Sequence, residues 1–240
     1  MKILVIGSKG FIGSSICKFY SENDSVELWQ CDVFENTDND PRYFSINSSD
    51  INFENIFRLQ SFDICINAAG SGNVGLSFDN PLYDFESNTY GVIKILEAIR
   101  MLDSKCRFIN FSSAAVYGDP KNLPIRENSE IKPLSPYGFN KAMAEHICKE
   151  YFAFFGIKTC NLRVFSAYGP GLKKQIFWDI YQKFKLAKNE IEMFGTGEET
   201  RDFIYIDDLV NAIDIIINKS PFQGECINVA SGSEVNIADA

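Results

Sequence analysis

Short apolar runs punctuate this chain at residues 2–6, 26–31, 64–67, 107–111, 158–164 and 225–229. Longer stretches with helical periodicity separate them, at 11–21, 82–101, 137–155, 176–186 and 207–218. The apolar runs are too short for helices and nearly continuous, which suits strands buried on both faces. Strand–helix alternation of this kind builds a parallel sheet, because a parallel crossover needs a helix-length connection. The expected fold is α/β, a doubly wound parallel sheet whose ligands bind beyond the carboxyl ends of its strands. Two loop-rich stretches interrupt the pattern. Residues 118–136 carry Pro120, Pro124, Pro133 and Pro136 and cannot be a helix interior, so they can fold over the strand ends. Residues 166–200 hold Gly169-Pro170-Gly171 and Gly195-Thr196-Gly197 and read as an insertion that caps the sheet.

The chain has 240 residues, 45% of them hydrophobic, enough to bury a core without disulfides or a structural metal. A net charge of −9 argues against a nucleic-acid partner, whose phosphates need a basic face. No run approaches the length of a membrane span, and the N-terminus enters Lys2-Ile3-Leu4-Val5-Ile6 without a leader pattern. The seven cysteines form no Cys-x-x-Cys pair, and Cys31, Cys65, Cys106, Cys160 and Cys226 lie in or beside apolar runs. A reduced, cytoplasmic, metal-free protein is expected.

Gly7-Ser8-Lys9-Gly10-Phe11-Ile12-Gly13 joins the first strand to the first helix, and Asp32 follows the second strand. Such glycines let a backbone approach a pyrophosphate at a helix N-terminus, while the carboxylate accepts from ribose hydroxyls. Asp32 favours NAD over NADP, whose 2′-phosphate would meet a like charge. Lys9 pulls the other way as a possible phosphate partner.

Tyr-x-x-x-Lys sets a phenol and an ammonium one helical turn apart, which draws the phenol from about 10 toward the range of an acid–base catalyst. The spacing occurs at Tyr90/Lys94, Tyr117/Lys121, Tyr137/Lys141 and Tyr181/Lys185. Tyr117/Lys121 spans Gly118 and Pro120 and is not helical; Tyr90 and Tyr181 lie inside helices, far from strand ends. Tyr137 opens a helix after Ser135-Pro136, downstream of a strand ending in Ser112-Ser113. A hydroxyl, a phenol and an ammonium can converge there, so Tyr137/Lys141 is the pair selected.

The ordered motifs then carry a resemblance. They are Gly10-Phe11-Ile12-Gly13, Asn67-Ala68-Ala69-Gly70, Asn88-Thr89-Tyr90-Gly91, Ser112-Ser113-Ala114-Ala115-Val116-Tyr117-Gly118 and Ser135-Pro136-Tyr137-Gly138-Phe139-Asn140-Lys141. Leu162-Arg163-Val164-Phe165-Ser166-Ala167-Tyr168-Gly169-Pro170-Gly171 and Arg201-Asp202-Phe203-Ile204-Tyr205-Ile206-Asp207-Asp208 complete the set. Over essentially its whole length the chain resembles the extended short-chain dehydrogenase/reductases, and among them the NAD-dependent nucleotide-sugar epimerases and dehydratases, UDP-galactose 4-epimerase-like in particular. The resemblance implies a Rossmann-type dinucleotide domain over 1–165 and a substrate-domain insertion over 166–199. It implies a return to the dinucleotide domain over 200–224 and the start of a shortened substrate domain over 225–240. It assigns catalysis to Ser113, Tyr137 and Lys141, and substrate contacts to Ser113, Ser166 and Arg201. Cofactor contacts fall to Gly7, Gly10, Phe11, Ile12, Gly13, Asp32, Asn67, Ala68, Ala69, Asn88, Tyr137 and Lys141.

Relatives that dehydrate usually carry an acidic residue after the catalytic serine, where this chain has Ala114 and Ala115. Double epimerases usually carry a Cys and a His, and His146 is the single histidine. What remains fits C4 epimerisation of a nucleotide sugar with a retained NAD. The alternatives are an NADPH-dependent 4-ketoreductase, for which Lys9 is the hint, and a non-catalytic dinucleotide-binding sensor. Ser166 stands where relatives usually place Asn, and Asn140 where Ser or Thr is common. Residues 231–240 read as the start of a capped helix. Relatives pair through helices corresponding to 82–101 and 137–155, whose surplus apolar residues (Ile93, Ile95, Leu96, Ile147, Phe152, Phe155) suit a homodimer face.

Overall fold

A computed structural model describes residues 1–37, 39–47, 52–187, 190–192 and 195–240. The strands β1 (Lys2–Ile6), β2 (Glu27–Asp32), β3 (Tyr43–Ser45), β4 (Ile64–Asn67), β5 (Arg107–Ser113), β6 (Thr159–Val164) and β9 (Gln223–Val229) make one sheet. Its order is β3-β2-β1-β4-β5-β6-β9 and every pairing is parallel. The strand order therefore reverses between β1 and β4, which opens the crevice where such sheets bind ligands. One face buries Ile3, Val5, Ile64, Ile66, Cys160 and Leu162 under α1 (Phe11–Ser21) and α8 (Ile206–Lys219). The other buries Leu4, Ile6, Cys65 and Phe108 under α5 (Gly91–Leu102) and α6 (Pro136–Phe155). Alternate residues of one strand enter opposite cores, which is why the runs read as continuously apolar.

A second sheet of three strands, β10-β8-β7, is built from β7 (Ser166–Tyr168), β8 (Thr200–Tyr205) and β10 (Glu234–Asn236). The stretch 166–200 thus contains a strand and the helix α7 (Gln175–Leu186), while residues 188–189 and 193–194 lie outside the described residues. Residues 200–205 pair within the small sheet and not the large one.

Three features depart from the sequence reading. Residues 231–240 open no helix: Asp202 accepts from the backbone N–H groups of Ser231 and Gly232 at 2.7 and 2.8 Å, and the turn so fixed feeds β10 antiparallel onto β8. The helix expected over 82–101 is three pieces, α4 (Pro81–Phe85), a π-helical turn (Glu86–Tyr90) and α5. Short elements escaped the periodicity, namely β3, α2 (Glu54–Leu59) and α3 (Val74–Asp79), since six residues hold less than two helical turns. Six of the seven cysteines sit in the cores and Cys226 is half-buried outside them; burial pushes the Cys17 and Cys160 thiols up to about 12.

Candidate active site

The crevice at the strand-order reversal is lined by backbone. Gly7 has φ +81°, and a Cβ there would lie 2.5 Å from the Ala69 amide nitrogen; a Cβ on Gly13 would lie 2.0 Å from the Gly7 carbonyl. Both positions require glycine: the first for its dihedral and the close approach of the segment after β4, the second for the crossing of α1 over the loop. Gly10 caps α1 without a side-chain hydrogen bond, which leaves the helix N-terminus open to an anion. Phe11 and Ile12 are half-buried and pack on the core beneath. Asp32 is buried at the end of β2, where its carboxylate accepts from the Lys9 and Val33 amides at 2.7 Å each. A carboxylate has acceptor sites beyond those two, so ribose hydroxyls remain within its capacity. The Lys9 ammonium lies over the Tyr43 ring, 5.0 Å from its centroid. Ser8 Oγ, Asn67 Oδ1 and Asn88 Oδ1 are buried with no hydrogen-bond partner. Unpaired polar atoms around a glycine cradle are what a dinucleotide would satisfy, and these residues fit one.

Ser113, Tyr137 and Lys141 come together at the end of β5 and the start of α6. Ser135 caps α6, its Oγ accepting from the Gly138 amide at 3.1 Å, and Pro136 occupies the first turn. The helix therefore begins abruptly with Tyr137 at the strand ends. Tyr137 hydrogen-bonds the Ser113 side chain. Ser113 Oγ also accepts from the Ala115 amide at 3.2 Å, which fixes the hydroxyl. Lys141 is buried, donates to the Phe111 carbonyl at 2.8 Å, and holds its ammonium 5.8 Å from the Tyr137 ring centroid. Burial pushes the Tyr137 phenol above its ordinary value, against the Ser113 hydrogen bond, and Asp84 adds to the rise. The sequence reading expected a lowered phenol; in the fold desolvation, with Asp84, outweighs the Ser113 hydrogen bond. Burial likewise pushes the Lys141 ammonium down to about 8.

The rival pairs sit elsewhere. Tyr90 and Tyr181 are exposed, with Lys94 and Lys185 stacked over their own rings. Tyr117 is buried and structural: its hydroxyl donates to Asn228 Oδ1 at 2.6 Å and accepts from Arg163 Nη1 at 2.7 Å. His146 is exposed on α6.

Ser166 and Arg201 lie on the small sheet. The register sets Ser166 opposite Phe203, so Ser166 and Arg201 share a face with the ring cluster of Tyr168, Phe177, Phe203 and Tyr205. Arg201 is exposed, and among the described residues no hydrogen bond ties it or Ser166 to the Ser113–Tyr137–Lys141 group. Asp202 is committed to the 231–232 turn and is no partner for Arg201.

Further residues pack around the site, and of these Glu145, Asp84 and Lys174 were passed over in the sequence. Glu145, one turn beyond Lys141, forms a buried ion pair with Arg163 at 2.7 Å and accepts from Ser112 Oγ at 2.6 Å. Arg163 also reaches the Glu127 carbonyl, which ties the proline-rich 118–136 stretch over the strand ends. Lys174 brings its ammonium within 3.4 Å of where a Cβ on Gly72 would stand. Asn88, on the π turn, donates to the Ser71 carbonyl at 3.1 Å and to Asp84 at 3.0 Å. Asn88 alone was marked in advance, through the Asn88-Thr89-Tyr90-Gly91 motif.

Comparison with known proteins identifies the family and the fold. A family model described as the NAD dependent epimerase/dehydratase family matches residues 3–230. A Methanocaldococcus jannaschii protein provisionally named UDP-glucose 4-epimerase is 33% identical over 98% of this chain and 78% of its own. A dTDP-D-glucose 4,6-dehydratase of Dictyostelium discoideum is 31% identical over 99% of this chain and 60% of its own. The solved structure of UDP-glucuronic acid 4-epimerase from Bacillus cereus, in complex with UDP-glucuronic acid and NAD, superimposes with a TM-score of 0.87. It is 28% identical and covers all of this chain and 80% of its own.

Proposed function

Because this chain belongs to the NAD dependent epimerase/dehydratase family, we propose that it inverts C4 of a nucleoside-diphosphate sugar through a transient 4-keto sugar. NAD is the cofactor of the family. We assign it to the crevice of 1–165, on Gly7, Gly10, Phe11, Ile12, Gly13, Asp32, Asn67, Ala68, Ala69 and Asn88. When bound it supplies a hydride acceptor and a positive charge beside the phenol. Tyr137 takes the proton of the sugar 4-hydroxyl and later returns it to the oxygen at the inverted carbon. Ser113 hydrogen-bonds the same sugar oxygen, and Lys141 holds the ribose and favours the phenolate. The sugar half of the site is assigned to 166–199 and 225–240, with Ser166 on the sugar or phosphate and Arg201 on the pyrophosphate, where a guanidinium fork matches the oxygens. A homodimer in the cytoplasm completes the reading. Among the described residues no helix is long and apolar enough to cross a membrane.

The observation that carries epimerisation over dehydration is the pair Ala114 and Ala115 beside an intact Ser113–Tyr137–Lys141 group. Removing water across C5 and C6 needs a further acid and base, and neither alanine can supply one. The Lys9 ammonium, the hint of a ketoreductase, lies over the Tyr43 ring, and only the Lys9 backbone amide reaches Asp32. The test incubates the purified chain with UDP-glucose, UDP-glucuronic acid and dTDP-glucose in deuterated water and follows the sugar by NMR. Epimerisation yields the C4 epimer with protium retained at C4. Accumulation of a 4-keto-6-deoxy product would overturn the reading in favour of a dehydratase. Acid release of the bound dinucleotide separates NAD from NADPH, and NADPH would favour the ketoreductase.

A further inference from the structure

The buried charged side chains among the described residues are Asp32, Asp84, Lys141, Glu145 and Arg163. Glu145 and Arg163 pair with each other, and Asp32 accepts from the Lys9 and Val33 amides. That leaves Asp84 and Lys141, one of each sign, with no ion-pair partner within 4 Å among the described residues. Asp84 is 0% exposed. Its Oδ1 accepts from Asn88 Nδ2 at 3.0 Å and its Oδ2 from Asn140 Nδ2 at 2.7 Å. Asn140 is the residue immediately before Lys141, and the Thr89 hydroxyl grips its backbone carbonyl at 2.9 Å. Two neutral amides compensate only part of the cost of burying a carboxylate, so a nearby cation is needed to balance it.

We propose that Asp84 is a positioning residue for the Tyr137–Lys141 pair: its buried carboxylate holds Asn140 in place and keeps the neighbouring Lys141 protonated. The inference rests on the reading of that pair as the acid–base group. Asn80 caps α4 and Pro81 opens it, so the short helix presents Asp84 toward α6. The π turn then places Asn88 and Thr89, both buried, against the same spot. The Asn140 side-chain amide supplies the donor that a carboxylate at position 84 requires.

The charges acting on the pair come from both sides. Burial drives the Lys141 proton off, Asp84 across from α4 opposes that, and Lys174 from the loop before α7 adds to it. For Tyr137 burial raises the phenol, Ser113 lowers it and Asp84 raises it. Asp79 of α3 and Glu86 of the π turn are exposed. Removing the Asp84 charge therefore lowers both groups, and both limbs of a pH profile move to acid together. A packing role would move neither.

The test follows the Lys141 side chain by carbon NMR of the full chain labelled at lysine Cε and saturated with NAD, the resonance being assigned by its loss in Lys141→Met. Asp84→Asn is expected to lower the Lys141 midpoint by about one unit. The exchange Asp84→Asn with Asn140→Asp keeps one carboxylate and one amide in contact and is expected to restore it. An unchanged midpoint in folded Asp84→Asn, or no restoration in the exchange, overturns the proposal. Should Asp84→Asn not fold, the exchange variant carries the test, and its failure to fold or a lowered midpoint overturns it as well. No turnover is needed for this readout. Absence of epimerisation with a shifted midpoint sinks the functional reading alone; turnover with an unshifted midpoint sinks this one alone.

Discussion

Tyr137 carries the proposed chemistry from a position where water is largely excluded, with one hydroxyl and one ammonium to tune it. Removing its hydroxyl leaves the glycine loop, Asp32 and Lys141 untouched. Tyr137→Phe is therefore expected to lower kcat by about 100-fold or more, the contribution of a positioned acid–base group, while the acid-released dinucleotide stays near wild-type content. Full turnover in that variant would falsify the assignment. The pH dependence follows from Lys141. Its folded value is depressed by burial to about 8, so the ammonium is present below that and lost as pH rises through it. Turnover should accordingly fall on the alkaline side with a midpoint near 8, measured as kcat against pH with saturating nucleotide sugar; a flat alkaline limb would remove Lys141 from the mechanism.

Elements matter because α6 bears Tyr137, Lys141 and Glu145 on successive turns. The Glu145–Arg163 pair fastens this helix to β6, and Ser112 fastens it to β5. Burial alone would raise the Glu145 carboxyl, but the Arg163 and Ser112 hydrogen bonds outweigh it and hold it below the ordinary range. Its stabilising contribution is thus present above the ordinary carboxyl range and lost as pH falls through the lowered value. Arg163→Leu leaves a buried carboxylate unpaired and is expected to cost about 3–5 kcal/mol in denaturant unfolding. Arg163→Leu with Glu145→Leu should cost clearly less, since no orphan charge remains. Equal losses would mean the pair is not what anchors the helix. The Tyr-x-x-x-Lys pairs of other helices serve as controls: Tyr90→Phe and Tyr181→Phe, both exposed, should leave kcat within about threefold of wild type. The chosen pair was legible because Ser135-Pro136 marks a helix start, and a start beside a strand end is a local fact. The π turn within 82–101 was not legible. Nothing in the apolar spacing distinguishes an inserted residue that exists to bring Asn88 and Thr89 onto α4 and α6.

For the whole molecule, the proposed dimer face can be redrawn. Ile95 and Leu96 are core residues, not surface, so they leave the expected interface. Phe155 is exposed as expected, and Leu82 on α4 with Phe139, Met143 and Phe154 on α6 are exposed apolar residues that can join it. Leu82→Asp with Phe139→Asp is expected to convert a dimer to a monomer in sedimentation equilibrium. A wild-type chain that sediments as a monomer would remove the dimer from the reading. Strand–helix alternation implies a parallel sheet with its ligands beyond the strand ends, whereas the order β3-β2-β1-β4-β5-β6-β9, with its reversal between β1 and β4, is set by the fold.

The sequence by itself determined the parallel sheet, the glycine loop with Asp32 and the choice of Tyr137 and Lys141. Each depends on residues near in the chain, whose spacing alone fixes which face they share. Tertiary structure alone decided the strand at 234–236, the sign of the shift at Tyr137, and the meeting of Asp84 with Asn140 across 56 positions. Pairing partners, desolvation and contacts between distant segments are set by what the folded chain brings near and hides from water, and no local spacing encodes that.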